Sequence, residues 1–118
     1  MTKDYRDMTK SISASLAKYR LSQPEIMKGF NALSAAAMRD GALSEKTKEL
    51  IALSLGVAGH CSACIGFHVR TLVKLGTTRP ELEEALGVAV YMGGGPSLMY
   101  AAEAFGAFEQ FSSESVPS

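Results

Sequence analysis

The segment Thr78-Arg79-Pro80-Glu81 constrains the fold more than any other stretch of the chain. A threonine three residues ahead of a glutamate, with proline between them, is helix-opening chemistry: hydroxyl and carboxylate each satisfy an orphan backbone N–H, and proline lacks one. Behind it Leu82, Ala85, Leu86, Ala89 and Val90 fall at i, i+3, i+4, i+7 and i+8, the stripe of an amphipathic helix. No window shows the sustained period-two alternation of a strand. The chain therefore reads as all-α, with about six helices and short connections.

Other start and stop signals divide the remainder. Residues 4–20 form a first helical candidate. Ser22 to Glu25, another Ser-x-x-Glu with Pro24 inside it, predicts the start of a second helix, which Gly41 would end. Along that helix Ile26, Phe30, Leu33 and Ala37 recur at helical spacing, so one stripe is expected to face a core. A third helix should run from after Ser44 to about Ala58. Its Leu50, Ile51, Leu53, Leu55 and Val57 cover more than one face, as in a central helix. Gly59-His60-Cys61-Ser62 supplies a turn and a start signal for a fourth helix, closed by Gly76 after Leu75. The run Gly93-Gly94-Gly95-Pro96 breaks the chain before a last helix from about Ser97 to Phe111, and the tail after it reads as frayed. With no strand before those glycines and no lysine after them, they read as a helix connection rather than a phosphate cradle.

Length and charge narrow the function. The 118 residues fit one domain over residues 1–118, and 47% hydrophobic residues are too many for a disordered chain. Twelve basic residues cancel twelve acidic ones, so no nucleic-acid-binding surface is implied. The charge is unevenly spread: basic residues are in excess over 1–20 and acidic ones over 79–118, so the two ends could attract each other within a chain or between subunits. The first residues lack the apolar core of a signal peptide, and no apolar run is long enough for a membrane span. A soluble, cytoplasmic protein without a membrane partner is expected.

A domain of this size does not need a disulfide to fold, so the two cysteines point to chemistry. Cys61, Cys64, His68, Thr71 and Leu75 share one stripe of the fourth helix. Three residues apart at a helix start, two Cα atoms lie about 5–6 Å apart, within the range a disulfide needs, so Cys61 and Cys64 can cycle between dithiol and disulfide. The exposed N–H groups and positive dipole end favour thiolate there. His68, one turn beyond Cys64, is placed to take its proton.

If the third and fourth helices form an antiparallel hairpin, Glu49 and His68 stand at heights differing by about 3 Å. They can then meet across it. The small neighbours Ala52 and Gly56 would leave the Glu49 carboxylate in dry surroundings. A relay from Glu49 through His68 to a thiol follows, against the alternative of an exposed Glu49 paired with Lys46 or Lys48. The cysteines keep alternatives as well: a structural disulfide, free core thiols, or a zinc site with His68 and either His60 or Glu49. Such a zinc-binding or oxidation-sensing module would be a non-catalytic oligomeric protein. His60, beside Cys61, could favour its thiolate.

Glu49, eleven residues, Cys61-Ser62-Ala63-Cys64, three residues and His68 together resemble the active-site pattern of the AhpD-like alkylhydroperoxidases, within the carboxymuconolactone decarboxylase superfamily. The resemblance runs from about Ser44 to Phe108. It implies an AhpD-like helical fold, a central antiparallel helix pair carrying the CxxC, and assembly as a homo-oligomer, commonly a trimer or hexamer. It also implies that Cys61 and Cys64 are the redox pair, that Glu49 and His68 are the proton relay, and that no cofactor is used. The implied substrate is a hydroperoxide or a disulfide, and the implied electron donor a dihydrolipoyl-type protein. Ala63 stands where many members carry a histidine, which implies a shorter relay or one assisted by His60. The decarboxylases of the superfamily lack the cysteine pair, so lactone decarboxylation is not expected.

Overall fold

The computed structural model describes residues 3–115. Six helices follow one another: α1 (Tyr5–Ser22), α2 (Pro24–Met38), α3 (Glu45–Ala58), α4 (Ser62–Lys74), α5 (Arg79–Gly93) and α6 (Gly95–Ser115), and no strand occurs among the described residues. None of the helices is long and apolar enough to cross a membrane.

Local chemistry sets most boundaries. At α5 both halves of the Thr78/Glu81 capping box form. Lys46 of α3 donates to Glu81 at 2.8 Å, and this contact, with the Thr78 amide, holds the Glu81 carboxyl down at about 2. Ser44 caps α3 by accepting from the Thr47 amide. Gly76 ends α4 with φ 77°, so that its own N–H reaches Val73 and that of Thr77 reaches Leu72; this left-handed closure suits glycine, which has no Cβ to clash.

Several predicted boundaries shift. Ser22 does not cap α2. It is the last residue of α1, its hydroxyl spent on the Lys18 and Tyr19 carbonyls, and Gln23 precedes Pro24 without a side-chain cap. The second helix ends at Met38, before Gly41. The last helix begins at Gly95 and continues through Ser115, so Ser112–Ser115 are helical where fraying was expected; residues 116–118 of that tail lie outside the described residues.

The core forms where α4 packs against α6, α3 and α1, and where α3 packs against α5 and α6. Leu53, Val57, Ile65, Val69, Leu72 and Leu82 are fully enclosed. Ala101, Ala104 and Ala107 line the buried stripe of α6, small enough to let α4 approach. The first half of α1 lies across α4, with Tyr5 and Thr9 buried against Gly66.

The expectation that α2 turns a stripe to the core is overturned. Among the described residues α2 buries none, and Ile26, Phe30 and Leu33 are 55%, 64% and 65% exposed. On α3, Leu53 and Val57 are enclosed, whereas Ile51 and Leu55 face outward and line an apolar groove of about 420 Å³ with Val88 and Met92 of α5. Periodicity identifies a face that needs cover; in this single chain nothing covers it.

A Cβ at Gly66 would stand 2.9 Å from the Thr9 methyl and 3.2 Å from the Tyr5 ring. Gly66→Ala is therefore expected to destabilise the fold by about 1–2 kcal/mol, overpacking outweighing the gain in helix propensity. Urea unfolding checks this, and an unchanged or raised midpoint would contradict the packing.

Candidate functional site

The end of α3 delivers Cys61 to the start of α4. Cys61 N–H donates to the Gly56 carbonyl at 2.9 Å and His60 N–H to Val57 at 3.2 Å, the same closure that ends α4. Here His60 takes the left-handed position that Gly76 takes there, with φ 57°, and among the described residues it is the only non-glycine with positive φ. That backbone costs about 1–2 kcal/mol in a residue with a Cβ. The exposed imidazole stacks on Tyr100 of α6, with ring centroids 4.8 Å apart and planes 4° from parallel.

Cys61 thus ends one helix and caps the next: its Sγ accepts from the Cys64 amide at 3.2 Å. The two cysteines form a disulfide, with Cα atoms 5.2 Å apart, and both are half-buried. In the dithiol form, the same amide and the N-terminal end of α4 would stabilise negative charge on Cys61.

The packing of α3 on α4 permits this arrangement. Gly56 is buried opposite Cys64, and a Cβ on it would lie 3.1 Å from the Cys64 Cβ. Seven residues earlier on the same helix, Glu49 is 7% exposed, and its Oε1 is 2.7 Å from Nδ1 of His68. The hairpin therefore brings these two groups together, and Glu49 does not pair with Lys46 or Lys48, which bind Glu81 and the Arg39 carbonyl. With Nδ1–H donated to the carboxylate, Nε2 of His68 is the basic nitrogen. On its other side Glu49 opens onto a polar cavity of about 500 Å³, walled by Ser34 and Met38 of α2, Arg39, Glu45 and Thr71.

Among the described residues no three His, Cys, Asp or Glu side chains converge as metal ligands. His60 turns to Tyr100 rather than towards Glu49 and His68. Gly94, with φ 78°, ends α5 in the glycine run, which connects two helices. Of the aromatic residues on α5 and α6, Phe108 is buried, Tyr100 and Phe105 partly so, and Tyr91 is exposed. Sequence reasoning missed the groups on the far side of α4, where Tyr5 donates to Glu103 and Lys3 to Ser62. The excess of basic residues at one end of the chain and acidic ones at the other was the only signal for them.

The family model for carboxymuconolactone decarboxylases matches residues 24–107. The chain belongs to that family. An uncharacterised protein of Cupriavidus necator is 36% identical over 109 residues, 92% of this chain and 96% of its own. A family protein from Legionella pneumophila, solved by crystallography, superposes with a TM-score of 0.90 at 63% identity, covering 92% of this chain and 96% of that one. A family member from Thermotoga maritima, for which an involvement in the antioxidative response has been suggested, superposes with a TM-score of 0.78 at 29% identity, over 87% of this chain and 88% of its own. Family membership and the Cys61–Cys64 disulfide together support a redox role.

Removing the Glu49 carboxylate leaves Nδ1 of His68 without its partner. Glu49→Ala is expected to cost about 1–3 kcal/mol, whereas Glu49→Gln, whose amide oxygen still accepts, should stay within about 1 kcal/mol of wild type. Equal losses in urea melts would argue against a hydrogen bond that contributes to stability.

Proposed function

We propose that the protein is a thiol–disulfide oxidoreductase that reduces alkyl hydroperoxides through Cys61 and Cys64, with Glu49 and His68 as its proton relay. The observation that carries this is the disulfide at the start of α4 with a histidine–carboxylate pair one turn behind it. His68, one turn from Cys64, takes the Cys64 proton, and Glu49 stabilises the imidazolium that results. The Cys64 thiolate attacks the peroxide, the O–O bond breaks, and the alcohol leaves with a proton while Cys64 becomes a sulfenic acid. Cys61, held as thiolate by the helix end, then attacks that sulfur. Water leaves and the disulfide closes.

A dithiol donor reopens the bond by exchange, attacking at Cys61, and is itself oxidised to a disulfide. The donor is proposed to be a dihydrolipoyl-type protein, and the compartment the cytoplasm. The net change is hydroperoxide and dithiol to alcohol, water and disulfide.

The proposed protein acts as a homo-oligomer, a trimer or hexamer. Its support is the uncovered stripe of Ile26, Phe30 and Leu33 on α2, with the apolar groove between α3 and α5. A monomer seldom leaves such surface open.

Peroxide consumption with dihydrolipoamide as donor tests the chemistry. Cys61→Ser and Cys64→Ser should each abolish turnover, and Glu49→Gln should lower it by about 10²–10⁴-fold. Undiminished turnover in either serine variant would defeat the two-cysteine cycle. For the assembly, light scattering should give a mass of three or six chains in wild type and a smaller one in Phe30→Asp; a monomeric wild type at micromolar concentration would refute it.

A further inference from the structure

The redox turn carries a second carboxylate on the side away from Glu49. Glu103 of α6 accepts from the Tyr5 hydroxyl and from Lys3 Nζ at 3.4 Å, and the same ammonium donates to Ser62 Oγ at 3.0 Å. Ser62 is the first residue of α4, between Cys61 and Ala63. The Glu103 carboxylate is thus held two hydrogen bonds from the positive end of the helix that would stabilise a thiolate.

This placement is built rather than incidental. Tyr5 is 2% exposed, and burial together with the Glu103 charge pushes its phenol well above the ordinary value, so it remains a donor to Glu103. Gln110 clamps the strand of chain that carries these groups, accepting from Tyr5 N–H at 2.7 Å and donating to the Lys3 carbonyl at 2.7 Å. Tyr100, one turn earlier on α6, and His60, stacked on it, are titratable groups on this side. Glu49 and His68 face the turn from α3 and α4 on the other side.

We propose that Glu103, fixed by Tyr5, sets the reduction potential of the Cys61–Cys64 pair by holding negative charge at the N-terminal end of α4. The proposal rests on the pair being redox-active. When a dithiol donor reduces the bond, two electrons pass to the sulfurs, and the product is either two thiols or a thiol and a thiolate with one proton released. A fixed carboxylate penalises the thiolate form and leaves the disulfide unaffected, so it raises the thiol pKa and lowers the potential. Lys3 opposes it, but with its side chain 50% exposed it is the more screened of the two charges.

The test measures the dithiol–disulfide equilibrium against dithiothreitol and thiolate absorbance against pH. Glu103→Gln keeps an acceptor for Tyr5 and removes the charge. It is expected to lower the more acidic thiol's pKa by about one unit and to favour the dithiol about tenfold near neutral pH, roughly +30 mV for a two-electron couple. Glu103→Asp should return both towards wild type, and added salt should shrink the difference, which a purely structural anchor would not do. Lys3→Gln, a substitution at the surface, should shift both quantities the opposite way by a smaller factor, and it keeps the test open if Glu103→Gln does not fold. Unchanged equilibrium and titration in Lys3→Gln and in folded Glu103→Gln would overturn the proposal. A wild-type disulfide that no dithiol reduces would instead refute the oxidoreductase reading itself.

Discussion

The close approach of α3 and α4 is the constraint from which the site follows. Two helices can sit this near only where one of them presents no side chain, and Gly56 does so opposite Cys64. Once the backbones are that close, residues at matching heights meet without long side chains having to search for each other. Glu49 and His68 are such a pair, and their 2.7 Å contact is a consequence of the hairpin as much as of their own chemistry. The entropy of ordering them has already been met by core packing at Leu53, Val57, Ile65 and Val69.

The turn of that hairpin makes Cys61 serve two helices. Its N–H completes the end of α3 and its sulfur opens α4, so the disulfide is anchored to backbone on both sides. His60 stands in a left-handed conformation where α4 uses glycine for the same closure. The stack on Tyr100 is the visible compensation for that backbone.

Much of this was legible in the sequence because it depends on local chemistry. The capping box at Thr78, the cap at Ser44 and the closure at Gly76 involve groups within a few residues of each other, and each boundary falls where those groups place it. The meeting of Glu49 with His68 could be read from helical rise once a hairpin was assumed. Ser22 misled because an identical Ser-x-x-Glu pattern can spend its hydroxyl backwards, on the preceding turn, as it does here. Ile26, Phe30 and Leu33 misled because periodicity reports which face is apolar and is silent about what lies against it. Tyr5 and Glu103 are 98 residues apart, and no local pattern joins them.

The bareness of α2 links two parts of the molecule. A helix of 15 residues with no buried side chain gains little from tertiary packing, and isolated helices of that length are only marginally ordered in water. The order of α2 therefore depends on whatever rests on its apolar stripe. Ser34 and Met38 of this same helix wall the polar cavity through which Glu49 meets solvent. Water's access to the buried acid is in this way tied to occupancy of the apolar stripe that runs beside these two residues on α2.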